Sequence, residues 1–426
     1  MKNKISEPPG RAPSLQLANL KLEGHTTPVK TPVLPLADDL SRVRTYRSVD
    51  DMVHDMRPEM PVHCLRPATI TSIAKRFLKA FPGDVMYAVK TNPDPKVLGY
   101  LGRAGLTHFD VASLAEIKLV ADHAPYAQMY FMHPVKSREA IHAAYFDYGV
   151  RDFSLDTHDE LTKILEVTGN ADDLNLYVRL AIPNECAVYS LTGKFGIKHE
   201  HATDLLVATR AASRKLGVCF HVGSQCMDPA AYFAAIHRVD ELLSQADVKL
   251  DILDIGGGFP SLYPNMTPPP LGHYMKAIKK ALKAFPALWQ CKLLCEPGRA
   301  LVAEGGSVVA RVELRKGNAL YLNDGVYGSL FDAGTPGFNF PVKAVRPGKT
   351  LSAEMDEFCF FGPTCDSLDA MQGPFTLPAD IKEGDWIEIG QLGAYGATMR
   401  TNFNGFYSDT TVEVADKPIL SMTGVN

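Results

Sequence analysis

Eight short apolar runs alternate with stretches of helical spacing, and this alternation is the feature that most restricts how the chain can fold. The runs lie at residues 85–89, 108–111, 128–132, 152–155, 175–181, 218–222, 251–255 and 291–295. Eight strand–helix units in about 210 residues have the number and length of a parallel α/β barrel closed by right-handed crossovers. An open, doubly wound sheet is the alternative, but the count of eight favours a closed, TIM-like (β/α)8 barrel.

The segments on either side of the predicted barrel have a different character. Residues 1–45 combine many prolines with little periodic apolar content, so we expect an arm that packs on another part of the protein. The barrel is expected to occupy residues 46–304, beginning with an amphipathic helix between Pro67 and Pro82. Residues 305–426 are predicted to form a mostly antiparallel β domain. Its clearest strand candidates are residues 307–314, 319–322, 358–361 and 386–389.

Composition excludes several classes of function. The formal net charge is −4 and basic residues are not concentrated in any stretch, so no nucleic-acid partner is expected. No apolar run approaches the ~20 residues of a membrane span, so we expect no membrane partner and a cytoplasmic location. The 8 cysteines form no Cys-x-x-Cys pair and the 13 histidines form no ligand motif, so no metal is expected.

Lys90 directly follows the first apolar run and precedes Thr91, Asn92 and Pro93. Barrel enzymes keep their active sites at the carboxyl ends of the strands, so this run would deliver a primary amine to such a site. Burial there would lower the pKa of Lys90, and a neutral amine can attack an aldehyde. Taken alone, a lysine in this place more often forms a surface ion pair, so the neighbouring motifs decide between the two roles.

A loop of three consecutive glycines, Gly256 to Gly258, follows the seventh apolar run. Backbone N–H groups in such a loop can converge on a phosphate. After the eighth run, Glu296 precedes Gly298 and Arg299, which add a further glycine and a guanidinium suited to bidentate phosphate binding. Three glycines alone more often form a tight turn, but the loops after strands seven and eight are the usual phosphate site of a barrel.

Four further polar residues lie at or close to predicted strand ends. They are Asp110, Arg179, His221 and Ser224. Each of them singly could be an ordinary hydrogen-bonded packing residue. Their convergence with an amine and a phosphate loop instead fits a phosphorylated aldehyde cofactor, pyridoxal 5′-phosphate. In that case Lys90 would form the covalent bond to the aldehyde, and Glu296 would keep the ring nitrogen protonated.

Seven ordered motifs support this interpretation. They are YAVKTN at 87–92, HVGSQ at 221–225, GGGFP at 256–260, EPGR at 296–299, NDGVYGS at 323–329, GPTCD at 362–366 and FNGF at 403–406. With these motifs, residues 61–406 resemble the fold-type III pyridoxal-phosphate decarboxylases, a group of ornithine, lysine and diaminopimelate decarboxylases, and ornithine decarboxylase most closely. The resemblance implies a TIM-like barrel followed by a β domain, as in alanine racemase, which agrees with the strand count.

The resemblance also implies a role for each matching residue. Lys90 would bond to the cofactor, His221 would stack on its ring and Glu296 would bind the pyridine nitrogen. The phosphate would be held by Ser224, Gly256, Gly257, Gly258, Gly298, Arg299 and Tyr395. Residues beside the cofactor would be Asp110, Glu116 and, at a greater distance, Arg179.

Cys365 and Asp366 fall in the β domain, far along the chain from the barrel motifs. The resemblance implies that one subunit delivers them into its partner's site, so we expect a homodimer with shared active sites. Cys365 would protonate the α-carbon after carbon dioxide leaves, and Asp366 would bind the distal ammonium of a basic amino acid. Tyr327 and Phe403 match substrate-pocket positions.

The carboxylate of Asp366 suits a cationic side-chain end, which favours L-ornithine, converted to putrescine in polyamine biosynthesis. L-lysine, or both amino acids, is the alternative, because the two differ by one methylene worth only ~1–3 kcal/mol. A diaminopimelate decarboxylase would carry glutamate at this position. A second family aspartate does not align without a gap, so Asp332 either takes its role or lies in a turn. Residues 183–196, with Lys194, resemble a mobile loop over the site.

Two other functions, a regulatory role without catalysis and amino-acid racemisation, are alternatives to decarboxylation. Some relatives of ornithine decarboxylase have lost catalysis and act as regulatory decoys, and imine formation with pyridoxal phosphate would distinguish such a protein from an enzyme. An amino-acid racemase of the same fold type would need a tyrosine acid opposite the lysine and would have no use for Cys365. Release of carbon dioxide would exclude it.

Overall fold

The computed structural model describes residues 43–182, 187–189, 193–334 and 336–422 of the chain, so nearly all of the predicted arm (1–45) lies outside the described residues. In chain order the strands are β1 (Thr45–Tyr46), β2 (Val62–Leu65), β3 (Asp84–Ala88), β4 (His108–Val111), β5 (Gln128–Phe131), β6 (Asp152–Leu155), β7 (Asn175–Arg179), β8 (Ala187–Tyr189), β9 (Lys215–Cys219), β10 (Ser224–Cys226), β11 (Ile252–Asp254), β12 (Lys292–Cys295), β13 (Gly306–Lys316), β14 (Ala319–Leu322), β15 (Val342–Val345), β16 (Met355–Phe361), β17 (Ala370–Pro378), β18 (Trp386–Ile389) and β19 (Thr411–Val414). The α-helices are α1 (Val49–Met56), α2 (Pro67–Ala80), α3 (Pro95–Arg103), α4 (Leu114–His123), α5 (Arg138–His142), α6 (His158–Thr168), α7 (Ala202–Ala212), α8 (Ala230–Ala246), α9 (Leu271–Ala284), α10 (Pro286–Trp289) and α11 (Arg299–Val302). Short 3-10 turns lie at Val89–Thr91, His199–His201, Ala303–Gly305, Phe331–Ala333 and Phe403–Gly405, and a π-helical turn lies at Ala143–Asp147.

Parallel pairing closes eight of the described strands into a barrel, in the order β3, β4, β5, β6, β7, β9, β11 and β12. Pairing of β12 with β3 completes the ring, with Leu294 opposite Asp84 and Cys295 opposite Val85. The predicted TIM-like barrel is confirmed, and each of its strands overlaps one of the eight apolar runs. All strands therefore point their carboxyl ends to one mouth of the barrel.

The barrel strands are apolar on both faces, as expected for parallel strands covered by helices. In β3, Met86 belongs to the cluster inside the barrel, whereas Val85 and Tyr87 pack in the larger cluster that includes the helices. The inner cluster consists of Met86, Tyr130, Met132, Tyr177, Cys219, Ile252 and Leu294. Helix α2, predicted between Pro67 and Pro82, forms with Pro67 at its first turn and buries its apolar stripe. This packing fixes the strand that leads to Lys90.

A second, mostly antiparallel sheet follows the barrel, and it contains an element that the sequence analysis assigned elsewhere. Strand β2 pairs antiparallel with β13, and β1 and β2 both pair with β19. Helix α1 packs on the same sheet through Val49, Met52 and Val53. The predicted start of the barrel at residue 46 is therefore corrected, because β1 and β2 are strands of the C-terminal sheet and α1 packs on it. Among the described residues, no helix is both long enough and apolar enough to cross a membrane.

His63, in this second sheet, should make the stability of the fold sensitive to acid. Its side chain is 6% exposed, and its Nε2 lies 3.0 Å from the guanidinium of Arg400. Burial, together with the Arg400 charge, lowers the pKa of His63 to about 3. Because the unfolded chain binds this proton below about pH 6.5 and the folded protein does not, the unfolding free energy should fall by on the order of 2 kcal/mol between pH 7 and pH 5.

Urea unfolding of the His63→Gln variant at pH 7 and pH 5 tests this expectation, since the glutamine oxygen can still accept from Arg400 but does not titrate. The variant should lose less stability than the parent protein over this pH range. His123, which is exposed, supplies the control variant His123→Gln. Equal pH dependence in the parent and the His63→Gln variant would contradict the assignment.

Candidate active site

A cavity of about 490 Å³ opens at the mouth of the barrel. The predicted site residues that line it are Lys90, Asp110, Arg179, His221, Ser224, Gly258, Glu296, Gly298, Arg299, Asp332 and Tyr395. These residues come from separate strand ends and from the β domain, and the fold brings them to one place. Three other predicted site residues, Gly256, Gly257 and Glu116, lie close by but outside the cavity lining.

Lys90 lies in the 3-10 turn after β3, and its side chain reaches the cavity, where it is 46% exposed. Its Nζ donates a hydrogen bond of 2.8 Å to Oδ2 of Asp110, at the neighbouring strand β4. The surrounding protein desolvates the amino group in the cavity and by itself would lower the pKa of Lys90, but the Asp110 and Glu296 carboxylates outweigh this effect and raise the pKa above its usual range. The expected lowering is therefore wrong, because the strand end that carries Asp110 supplies a counter-charge.

Glu296 follows β12 directly and is 8% exposed at the edge of the cavity. Its backbone N–H donates to the Gly256 carbonyl (2.8 Å), which ties together the loops after β11 and β12. Burial raises the pKa of Glu296 well above its usual range, and the Asp254 and Asp110 carboxylates raise it further. Burial likewise raises the pKa of Asp254 to about 6. A cationic nitrogen in the cavity would strongly stabilise the ionised form of this pair of carboxyl groups.

His221 lies between β9 and β10 and is kept neutral by its surroundings. Burial lowers its pKa to about 3, and the charges of Arg179 and Lys90 contribute. The Nδ1 atom lies 2.9 Å from the N–H of Gly223 and accepts its hydrogen bond, so the ring proton belongs on Nε2. A neutral imidazole with a fixed orientation is well suited to stack on an aromatic ring.

Arg299 begins α11 and is held tightly at the other end of the cavity. Its Nη1 donates to the Tyr263 hydroxyl at 2.8 Å and its Nη2 to Asp332 Oδ2 at 2.9 Å. The guanidinium carbon also lies 4.8 Å and 4.9 Å from the ring centres of Phe338 and Tyr395. Its Nε is buried and has no hydrogen-bond partner among the described residues. Each terminal nitrogen also has a second N–H, so this fixed cation keeps donors for an anion in the cavity.

Two glycines allow the backbone to approach closely at this end. Gly256 has φ +65°, and a Cβ there would collide with the Phe220 carbonyl. At Gly298 a Cβ would collide with the Thr91 hydroxyl. The Gly256 N–H, which the sequence analysis assigned to phosphate, instead donates to Asp254 Oδ1 at 2.9 Å. Gly258 and Gly298 are the glycines of the two loops that line the cavity.

Arg179 ends β7 and lines the cavity with Lys194 and Phe195. The Phe195 ring packs edge-on against the His133 ring, with centroids 5.1 Å apart. Its centroid also lies 5.7 Å from the Arg179 guanidinium and 4.9 Å from the Lys194 ammonium. Of the predicted covering loop at 183–196, only residues 187–189 and 193–196 lie within the described part of the chain.

Four predicted residues form a separate group on the β domain, outside the lining of the cavity. The Tyr327 hydroxyl donates to Asp366 Oδ2, and the Tyr327 and Phe403 rings lie 5.0 Å apart. Cys365 is exposed, and its backbone N–H donates to Asn404 Oδ1 at 3.1 Å. The fold thus brings Cys365, Asp366, Tyr327 and Phe403 together but not next to Lys90 of the same subunit.

Several residues of the site were not found from sequence. Asp254 ends β11, so its position as a carboxylate at a strand end could have been used to find it. Tyr263 and Phe338 hold Arg299 from distant loops, and no local pattern predicts such contacts. Met132, His133, Phe331 and Met399 also line the cavity. Thr91 has a buried hydroxyl with no partner among the described residues.

These features fit pyridoxal 5′-phosphate. The free Nε of Arg299 and the closely approaching Gly298 backbone offer donors to a phosphate at one end. Lys90 supplies an amine for the aldehyde, and Glu296 a buried carboxyl group for the ring nitrogen. The fold and site therefore define a pyridoxal-phosphate-dependent enzyme built from a barrel and a β domain.

Comparison with known proteins gives the family. Residues 67–303 match the model of the pyridoxal-dependent decarboxylases, pyridoxal binding domain. The lysine/ornithine decarboxylase of Selenomonas ruminantium is 34% identical over 346 residues, which cover 78% of this chain and 84% of that protein. The ornithine decarboxylase of Panagrellus redivivus is 32% identical, and the match covers 90% of each chain.

A solved structure agrees with these matches. Lysine/ornithine decarboxylase from Vibrio vulnificus, in complex with putrescine, superposes with a TM-score of 0.73 at 29% identity, covering 86% of this chain and 99% of that one. The chain belongs to the pyridoxal-dependent decarboxylases, and it is a carboxy-lyase whose cofactor is pyridoxal 5′-phosphate. The predicted family and fold are confirmed.

Proposed function

We propose that this protein decarboxylates L-ornithine to putrescine and carbon dioxide in polyamine biosynthesis, with L-lysine as the alternative or second substrate. The observation that carries the proposal is the exposed Cys365 next to the half-buried Asp366, a thiol beside a carboxylate, on the β domain. A carboxylate at the far end of the pocket favours an amino acid whose side chain ends in an ammonium group. The relatives described above have names that include ornithine or lysine.

The barrel residues have separable tasks in this reaction. Lys90 would provide the amine that bonds to the cofactor aldehyde, and Asp110 Oδ2, which accepts a hydrogen bond of 2.8 Å from Nζ, orients it. Glu296 would bind the ring nitrogen and stabilise its positive charge. Neutral His221 would stack on the ring and orient it. Once bound, the cofactor serves as a sink for the electrons released when the carboxylate leaves.

The residues at the opposite end of the cavity from Lys90 would bind the phosphate. Arg299 offers its buried Nε, Ser224 begins β10, and Gly257, Gly258 and Gly298 belong to the loops after β11 and β12. Tyr395 lies against the guanidinium, and its N–H donates to the Thr91 carbonyl at 2.9 Å, so its backbone is fixed as well. These residues would hold the phosphate and so keep the reacting end of the cofactor at Lys90.

We infer that the active form is a homodimer in which each β domain completes the partner's site. Cys365 would donate a proton to the α-carbon from its thiol, and Asp366 would bind the distal ammonium. Both residues lie outside the lining of their own subunit's cavity. Exposed apolar side chains surround them, notably Leu368 (71% exposed), Phe403, Phe406 and Tyr407. Such a patch is typical of a surface that is covered in an assembly.

Substrate preference is tested by incubating the holoenzyme separately with L-ornithine, L-lysine, L-arginine and meso-diaminopimelate and measuring carbon dioxide. We expect kcat/KM to be highest for L-ornithine and about 10-fold lower for L-lysine, the effect of one methylene. Asp366→Asn should reduce kcat/KM for L-ornithine by roughly 10- to 100-fold, because it removes a charge-assisted hydrogen bond. A preference for diaminopimelate, or a change in chirality without carbon dioxide, would contradict the proposal.

A further inference from the structure

Asp332 has a charged partner inside the cavity. Its Oδ2 accepts from Nη2 of Arg299 at 2.9 Å, and the two side chains are only 11% and 7% exposed. Both residues line the cavity. A little-exposed carboxylate paired with a guanidinium has most of its charge compensated, so it adds little attraction for a second cation.

Asp332 is also fixed by its own backbone. It lies in the 3-10 turn Phe331–Ala333, and its carbonyl accepts the N–H of Phe338 at 2.8 Å. The Gly334 N–H donates to the Phe331 carbonyl at 3.1 Å and closes the turn. The carboxylate is therefore held on a rigid segment of the β domain next to the barrel arginine.

Arg299 depends on few side chains for its orientation. Tyr263 holds Nη1, Asp332 holds Nη2, and the aromatic rings of Phe338 and Tyr395 contact the guanidinium. Each terminal nitrogen uses one of its two N–H groups in these bonds, and the buried Nε has no partner among the described residues. Asp332 therefore helps to fix the orientation of the guanidinium at the cavity wall.

We propose that Asp332 is a positioning residue for Arg299, which it orients toward the cofactor phosphate, and not the anchor of the substrate's distal ammonium. This inference rests on the proposed function, in which Arg299 binds the phosphate. It decides between the two roles that the sequence left open for Asp332. In the positioning role the oxygen of Asp332 matters as an acceptor, whereas an ammonium anchor would depend on its charge.

The test compares Asp332→Ala and Asp332→Asn in cofactor binding and in kinetics. Pyridoxal phosphate and pyridoxal, which lacks the phosphate, are titrated separately into the cofactor-free proteins. For Asp332→Ala we expect affinity for pyridoxal phosphate to fall by about 10-fold or more, with less than about 2-fold change for pyridoxal, because a little-exposed arginine loses its partner. Asp332→Asn keeps an acceptor oxygen and should stay within about 3-fold of the parent protein. At saturating cofactor, KM for L-ornithine should change little in either variant.

Asp385→Ala is the matched control, since Asp385 pairs with Arg346 at 2.6 Å with comparably low exposure (3% and 11%) and lies outside the cavity lining. It should lower thermal stability without changing cofactor affinity. Unchanged pyridoxal phosphate affinity in Asp332→Ala would overturn the inference. So would an increase of KM by 10-fold or more in Asp332→Asn with cofactor affinity intact, the expected sign of an ammonium anchor. Failure of the parent protein to bind pyridoxal phosphate would overturn the proposed function itself, and with it this inference.

Discussion

Lys90→Ala is expected to abolish decarboxylation, with turnover reduced by about 10³-fold or more, because the variant loses the amine that bonds to the cofactor. Lys90 Nζ reaches the cavity, where it donates a hydrogen bond of 2.8 Å to Asp110 Oδ2. The visible absorbance of lysine-bound cofactor should also disappear. Borohydride reduction followed by peptide mass spectrometry should find the cofactor on Lys90 in the parent protein and on no residue in the variant.

A matched control is available at the other end of the barrel. Lys292 begins β12, and its Nζ lies 2.9 Å from Asp84, so it too is a barrel lysine paired with an aspartate. Lys292→Ala should retain activity and cofactor. Lys194 also lines the cavity and is the amine that could compete. If Lys90→Ala kept its activity and borohydride fixed the cofactor to Lys194, the assignment of Lys90 would be wrong.

The barrel could be predicted from sequence because its signal is local. Each strand is a short apolar run, and each helix has its own periodic stripe, so eight units can be counted without knowing which strands pair. Runs such as 108–111 and 152–155 coincide with the observed strands β4 and β6. The site followed from the same logic, since parallel strands place their carboxyl ends at one mouth.

The edge of the second sheet could not be predicted in this way. Strand β2 has no alternating pattern, and all four of its residues are buried. Its partners β13 and β19 begin about 240 and 350 residues later, and sequence patterns do not specify such long-range pairing. The N-terminal part of the chain was therefore assigned to the nearer barrel.

The pKa shifts and ion pairs of the site were harder to predict than the identity of the residues that form it. A raised pKa of Lys90 requires knowing that Asp110 lies within hydrogen-bonding distance, because burial and a counter-charge act in opposite directions. The role of Asp332 likewise depends on which cation it meets, and the motif around it does not reveal the contact with Arg299. Side-chain contacts between elements decide both points.

Mixing two inactive variants, Lys90→Ala and Cys365→Ala, is expected to restore activity if the sites are shared between subunits. The first variant lacks the barrel amine and the second lacks the β-domain thiol, and each is expected to be nearly inactive alone. A mixed dimer has one barrel with Lys90 that faces a partner with Cys365. Random exchange in an equal mixture should give about a quarter of the parent activity, since half of the dimers are mixed and each has one complete site.

The control mixture combines Lys90→Ala with Glu296→Ala, both defects of the same barrel. No mixed dimer then contains a complete site, so activity should not exceed the sum of the two separate variants. Size-exclusion chromatography of the parent protein should give about twice the mass of one chain. A monomer, or a Lys90→Ala and Cys365→Ala mixture as inactive as its components after proven subunit exchange, would place Cys365 outside the partner's site. The exposed position of Cys365, away from the lining of its own subunit's cavity, is the structural reason to expect recovery.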